Sequence, residues 1–439
     1  MRTQRSRIGR RRKVFKQGKA HISFTGKAVT SSAGMALVSR ALDAFGIRDQ
    51  LDTIFTALDE DRKYSTSTFL QQLVALRILG GDAISDATIL DEPAIKAMFG
   101  WEAVAHPTTF ARRLKSLGWH RNLALESLVT ELSQRVTKPG TQFVAIDSTV
   151  TTVFGQKIEG AERGYNPHKP GRNSYHPLLA VDVGSRSVVD GYLRPGSCAS
   201  NDGLDGFIRK IVAEADRPGE KIVFRLDKGL TSGAALDTIE ELEAGYVGKV
   251  KLTAKIWGQI SRIKNWRSIG SGCFASNFRC QLEGWSHPRR FVVIERNLEP
   301  EKPTEQLSMF DMLEGRYEVV VTNQRLNAEN IWRLYNRGAV VEQVIEEIKN
   351  DYAATGIRTN EFWANDALFQ TGLIAYNLLN CIRRLALPKG LRTARIKRIG
   401  LLLLHMPANV VSRSRQLLIK IKRDHPFRLI FYQAMKALA

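Results

Sequence analysis

The spacing of apolar and polar residues changes period several times along the chain. From about 34 to 137, apolar residues recur every three or four positions. Met35, Leu37, Val38, Ala41 and Leu42 show this, as do Phe69, Leu70, Leu73, Leu76 and Leu79, and the pattern predicts helices. Within this region, 106–118 reads as a capped helix opened by Pro107 and two threonines. Phe110 and Leu114 supply its apolar stripe, while Arg112, Arg113 and Lys115 face away. Such a segment fits the second helix of a helix-turn-helix, and equally a surface helix with a solvated basic face. At 140 the period shortens to that of strands. QFVAIDSTVTTVFG is rich in β-branched residues, and strand-like runs follow at 178–183 and 187–193. An amphipathic helix fits 202–215, a buried strand 221–229, a helix 231–243 and a strand 246–251. Short alternating runs then fill 257–323 and read as a β-rich insertion. Helix returns at 327–350 and at 362–386, and the last fifty residues predict a helix, a pair of strands at 410–421 and a final helix.

Charge adds what periodicity does not. The net charge is +21, from 65 Lys and Arg against 44 Asp and Glu. Residues 1–19 hold nine basic residues and no acid, and residues 383–439 hold fourteen and one acid, Asp424. The body between is close to neutral, so both ends are suited to a polyanion. The first twenty residues, with Arg10, Arg11 and Arg12 at their centre, lack hydrophobic periodicity and predict a mobile arm. No apolar run reaches the roughly 18 residues of a membrane span, and no apolar segment of a secretory signal follows the basic start. Four scattered cysteines form no disulfide framework, which points to a reducing, cytoplasmic setting. The spacing of Cys273, Cys280 and His287 is not that of a usual zinc site.

Candidate chemistry lies in acids set among apolar residues. Asp147 follows the run 143–146, Asp227 follows 222–226, and Glu342 follows Val340 and Val341 on a helix. A carboxylate at the end of a buried strand is costly unless it is paired or holds a metal. Asp182 and Asp190 read instead as cap or turn residues. Two strand acids and a helix acid can converge at the strand ends of one mixed sheet and hold divalent ions through oxygen, as Mg²⁺ prefers. Glu346 and Glu347, one turn further, are alternatives to Glu342, or partners of Lys349 in surface pairs.

The order of these elements resembles the ribonuclease H-like catalytic domain, and the motifs resemble DDE transposases of bacterial insertion sequences. The resemblance rests on AIDSTVTTVFGQKIEGAERGYNPHKPGRNSYHPLLA at 145–180, FRLDKGL at 224–230, LYNRGAVVEQVIEEIKND at 334–351 and AYNLL at 375–379. It implies Asp147, Asp227 and Glu342 as a metal-binding, catalytic triad holding two Mg²⁺ ions, with Mn²⁺ as a substitute. The third stretch is similar to a Tyr-Arg-Glu-Lys signature. Tyr335, Glu342 and Lys349 keep their places, but Gly338 stands where arginine is expected. Arg337 is displaced from that place by one residue, about 100° around a helix. Lys228 likewise replaces the usual serine of the second stretch.

The fold class expected is therefore α/β. A basic arm (1–25) and an all-α DNA-binding region (26–139) precede a ribonuclease H-like domain (140–386) with a β-rich insertion at about 252–325. A basic C-terminal region (387–439) follows. The implied function is cleavage and strand transfer at the terminal repeats of its own insertion sequence. The expected partner is double-stranded DNA, bound by a homodimer, with no membrane and a cytoplasmic, nucleoid-associated location. Tyr335, Arg337, Lys349, Arg10, Arg11, Arg12, Arg112 and Arg113 are the expected DNA contacts. Trp257, Trp266, Phe274 and Trp285, among basic residues of the insertion, suit base stacking or a small local core. His168, Arg172 and His176 lie in the loop after the first Asp. The rival readings are a nuclease without joining activity, a non-catalytic DNA-binding protein and an RNA-binding protein.

Overall fold

A computed structural model describes residues 14–17, 19–23, 28–56, 65–155, 157–167, 169–215, 221–296, 316–352, 354, 356, 359–414 and 416–439. Arg10, Arg11, Arg12 and His168 lie outside these residues. A two-stranded hairpin, β1 (Val14–Gln17) and β2 (Ala20–Ser23), replaces the last part of the expected mobile arm, because Val14, Phe15, Ile22 and their neighbours pair across it, and the short strand β3 (Val29–Thr30) follows. Six α-helices then fill the region where the period was helical: Met35–Ala44, Ile47–Phe55, Thr66–Ile78, Pro93–Phe99, Pro107–Lys115 and Trp119–Val136. Ser65 caps the third by accepting from the Thr68 amide at 3.0 Å, and that helix is buried on every side.

A nine-stranded sheet forms the centre. Its strands are β4 (Thr141–Ser148), β8 (Leu178–Asp182), β9 (Ser187–Tyr192), β10 (Lys221–Leu226), β11 (Gly245–Lys249), β12 (Arg267–Gly270), β13 (Cys273–Cys280), β14 (Arg289–Arg296) and β15 (Tyr317–Thr322). The spatial order is β12-β13-β14-β15-β11-β10-β4-β8-β9. β4, β10 and β11 run parallel, and every other pairing is antiparallel. The β-rich segment read as an insertion therefore continues this sheet, because β15 pairs with β11. Three small strands, β5 (Thr151–Thr152), β6 (Glu162–Arg163) and β7 (Asn173–Tyr175), shape the loop after β4.

Successive side chains on a strand face opposite sides, and the sheet sorts its residues accordingly. Val144, Ile146, Phe224 and Leu226 pack with the helices Leu204–Glu214, Gly233–Glu241 and Ala254–Ile260. Ala145 and Val223 face the other way, toward helices from the C-terminal half. There the predicted single helix over 327–350 is instead two, Ala328–Arg337 and Val340–Asp351, broken at Gly338 and Ala339. The helix Phe362–Cys381 is buried from Ala364 to its end and joins one core with the N-terminal helices. Its polar residues satisfy the free edge of β9. Asn377 accepts from the Val188 amide at 2.9 Å and donates to the Val188 carbonyl at 2.8 Å, and Gln370 donates to the Gly191 carbonyl at 2.8 Å.

The C-terminal strands β16 (Ala408–Arg413) and β17 (Gln416–Ile421) form the expected pair, and β16 also pairs with β3. The helix Arg428–Ala437 closes the chain. Among the described residues no helix is long and apolar enough to cross a membrane.

Candidate active site

Register and parity place the two aspartates. Ile146 of β4 lies opposite Leu226 of β10, so Asp147 and Asp227 follow side by side at the C-terminal ends of neighbouring parallel strands. Both share the parity of Ala145 and Val223 and face the two broken helices. Glu342 lies in the first turn of Val340–Asp351, and its charge reaches Asp147. The three acids of the sequence reading are thus brought to one place. Glu346 and Glu347 have other partners. Glu346 lies 3.5 Å from Arg395, and buried Glu347 accepts from the Ile396 amide at 3.0 Å.

Electrostatics single out Asp147. Burial first, and the neighbouring Asp227 charge second, push the Asp147 carboxyl from 3.8 up to about 6. The Ser148 amide, donating to Asp147 at 2.8 Å, and nearby Arg225 oppose that rise. The Tyr335 hydroxyl donates to Asp227 at 3.2 Å, and burial raises the phenol's pKa. Lys349 donates to the Thr149 hydroxyl at 3.0 Å and the Val150 carbonyl at 3.2 Å, which ties its helix to the turn after Asp147. Burial lowers the lysine's pKa. A cavity of about 300 Å³ beside Asp227 is lined by Lys228, Lys249, Arg296, Tyr317 and Glu318.

A second acidic cluster behaves differently. Among the described residues, Asp237, Glu240 and His287 are the acids and histidines whose ligand atoms all fall within 4.8 Å of one another. The Arg289 guanidinium already occupies this cluster, 2.5 Å from Asp237 and 2.9 Å from Glu240, and Tyr246 donates to Glu240 at 2.7 Å. It is an ion-pair network with its own fixed cation. Asp147, Asp227 and Glu342 are spread more widely.

The profile of the transposase DDE domain group 1 family matches residues 12–439. The chain belongs to that family. No curated protein matches it in sequence. A piggyBac transposase, solved as a synaptic complex with hairpin DNA, is a similar structure at 13% identity and a TM-score of 0.45. The alignment covers 87% of this chain and 82% of that one.

In this DDE transposase the remaining sequence expectations divide. Arg337 is exposed at the end of its helix, whereas Tyr335 is buried. Helix Pro107–Lys115 forms as expected, with Phe110 and Leu114 fully buried. His106 caps it, its ring accepting from the Thr108 amide at 3.4 Å. Arg112 is exposed, but Arg113 donates to Thr66 at 3.0 Å and Lys115 to Glu361 at 2.9 Å. Both are engaged in holding helices together. Trp257 and Trp266 pack around Tyr317, and Trp285 stacks on Phe291, so these rings help build local core. His176 is buried with Nδ1 2.9 Å from the Cys198 carbonyl. Asp182 is the turn residue expected, accepting from the Ser185 amide at 2.8 Å. Asp190 is not: it is fully buried and paired with Lys210 at 2.7 Å. Cys273 and Cys280 stand at opposite ends of β13 and share no site.

Arg225 stands in the FRLDKGL stretch that carries the family resemblance, but no role was expected of it. Its place two residues before Asp227 puts it on the same face of β10, and that alternation was the available signal.

Proposed function

We propose that this DDE transposase cuts DNA at the ends of its own insertion sequence and joins the freed 3′ end to another strand, using Asp147, Asp227 and Glu342. The observation that carries the reading is the register of β4 and β10, which sets two aspartates side by side facing the helix of Glu342. The donor set fits Mg²⁺ or Mn²⁺, because all three side chains offer hard carboxylate oxygens and their mutual repulsion asks for a cation. A bound pair of such ions supplies a polarised water or hydroxyl and stabilisation of the leaving oxygen. The chain's own residues do the positioning. Tyr335 orients Asp227 by its hydrogen bond, and Lys349 fixes the turn that follows Asp147. The strand order β9-β8-β4-β10-β11, with β4, β10 and β11 parallel, supports the ribonuclease H-like reading.

DNA is the partner that the charge distribution supports, with the basic arm and tail on phosphates and exposed Arg112 and Arg337 among the contacts. Two ends must be brought together, which calls for a homodimer on DNA, acting in the cytoplasm at the nucleoid. The test is to incubate the full-length protein with labelled duplexes carrying the flanks of its own gene and a supercoiled plasmid, with Mg²⁺ or EDTA. Metal-dependent cutting at one position followed by joining is expected. Cutting without joining would leave a nuclease, and binding without cutting would sink the catalytic reading.

A further inference from the structure

The break between the two helices lies against Arg225. This arginine is 5% exposed, on the face of β10 that carries Asp227. Its guanidinium carbon stands 4.7 Å from the centroid of the Tyr335 ring, and its Nη2 lies 3.4 Å from the Tyr335 hydroxyl, which in turn donates to Asp227. Nε is buried with no hydrogen-bond partner. A buried cation so thinly bonded is costly by itself. It is offset here by the ring beneath it and by the carboxylates nearby.

The backbone at 338 leaves room for this side chain. A Cβ placed on Gly338 would stand 2.5 Å from Arg225 Cδ and 2.8 Å from its Nε. The backbone there is ordinary right-handed helix, with φ at −68°, so glycine is needed for space and not for conformation.

We propose that Arg225 is a positioning residue of the transposase site, holding Tyr335 flat so that its hydroxyl fixes the Asp227 carboxylate, and that Gly338 is the gap that admits it. This rests on the proposed role of Asp227 as a ligand.

Four variants of the full-length protein test it: Arg225→Lys, which keeps charge but loses the planar fork, Tyr335→Phe, the double variant, and Gly338→Ala. Mn²⁺ binding is followed without DNA by the resonance of free Mn²⁺, beside thermal melting and cutting rates over a range of Mg²⁺. Arg225→Lys and Tyr335→Phe should each raise the Mn²⁺ concentration for half-saturation about tenfold, the lower end expected for a partner behind a metal ligand. The double variant should be no worse than Tyr335→Phe alone, because both act through one hydroxyl. Gly338→Ala should reproduce the loss. Tyr335→Phe should melt as the wild type does, which separates positioning from folding. Multiplying effects in the double variant, or unchanged Mn²⁺ binding in Tyr335→Phe, would overturn the proposal while leaving the transposase reading intact. A wild type that binds no Mn²⁺ would overturn both.

Discussion

At the scale of single residues, the charge on Asp147 is the most consequential. Its carboxyl is pushed up from 3.8 to about 6 by burial and by Asp227, so the fold favours the protonated form. The sign follows from linkage. The stability this group contributes is fully present below about 4 and is lost as pH rises through 6. In EDTA at pH 8 the wild type should therefore be less stable than Asp147→Asn by on the order of 1–3 kcal/mol. At pH 4 the two should melt alike, and thermal melting at both values checks this. Millimolar Mg²⁺ at pH 8 should raise the melting temperature of the wild type but not of the variant. The acids themselves were legible, since a lone carboxylate after an apolar run stands out in sequence. The role of Arg225 was not, because parity places it beside Asp227 but its packing on Tyr335 and Gly338 depends on a helix break that periodicity does not show.

At the scale of elements, the helix Phe362–Cys381 shows how polar residues serve a buried position. The sequence reading assigned it as helix from its apolar content, and AYNLL contributed to the family resemblance. What it could not show is that Asn377 spans the buried edge of β9 and also donates to the Val129 carbonyl at 3.0 Å. Replacing Asn377 by Leu would leave those backbone groups unsatisfied inside the core. A loss on the order of 2–4 kcal/mol is expected, measured by urea unfolding. The split of 327–350 into two helices was hidden for a similar reason. Hydrophobic spacing continues through Gly338, yet the first helix ends at Arg337 and the next begins at Val340.

At the scale of the whole molecule, described segments from the N-terminal and C-terminal parts of the chain come together. β3 pairs with β16, and the N-terminal helices share one core with Phe362–Cys381 and the C-terminal helix. Periodicity located these helices but gave no sign that they would be built on a helix far away in sequence, Phe362–Cys381. A fragment limited to 140–386 should therefore expose the apolar face of that helix and lack a cooperative melting transition, which calorimetry would show. Removing residues 1–13, which precede β1, should instead leave the helical core intact and weaken DNA binding. The slope of log affinity against log salt should become shallower, up to the seven cations removed.

The central claim is that three converging carboxylates, and not their neighbours, make this transposase cut. Single-turnover cutting of a labelled flank in Mg²⁺ tests it, comparing Asp147→Asn, Asp227→Asn and Glu342→Gln with Glu346→Gln, and measuring DNA binding for each. The three triad variants should bind DNA and cut none, while Glu346→Gln cuts at the wild-type rate. Wild-type cutting by any triad variant, or loss of cutting in Glu346→Gln alone, would contradict the account.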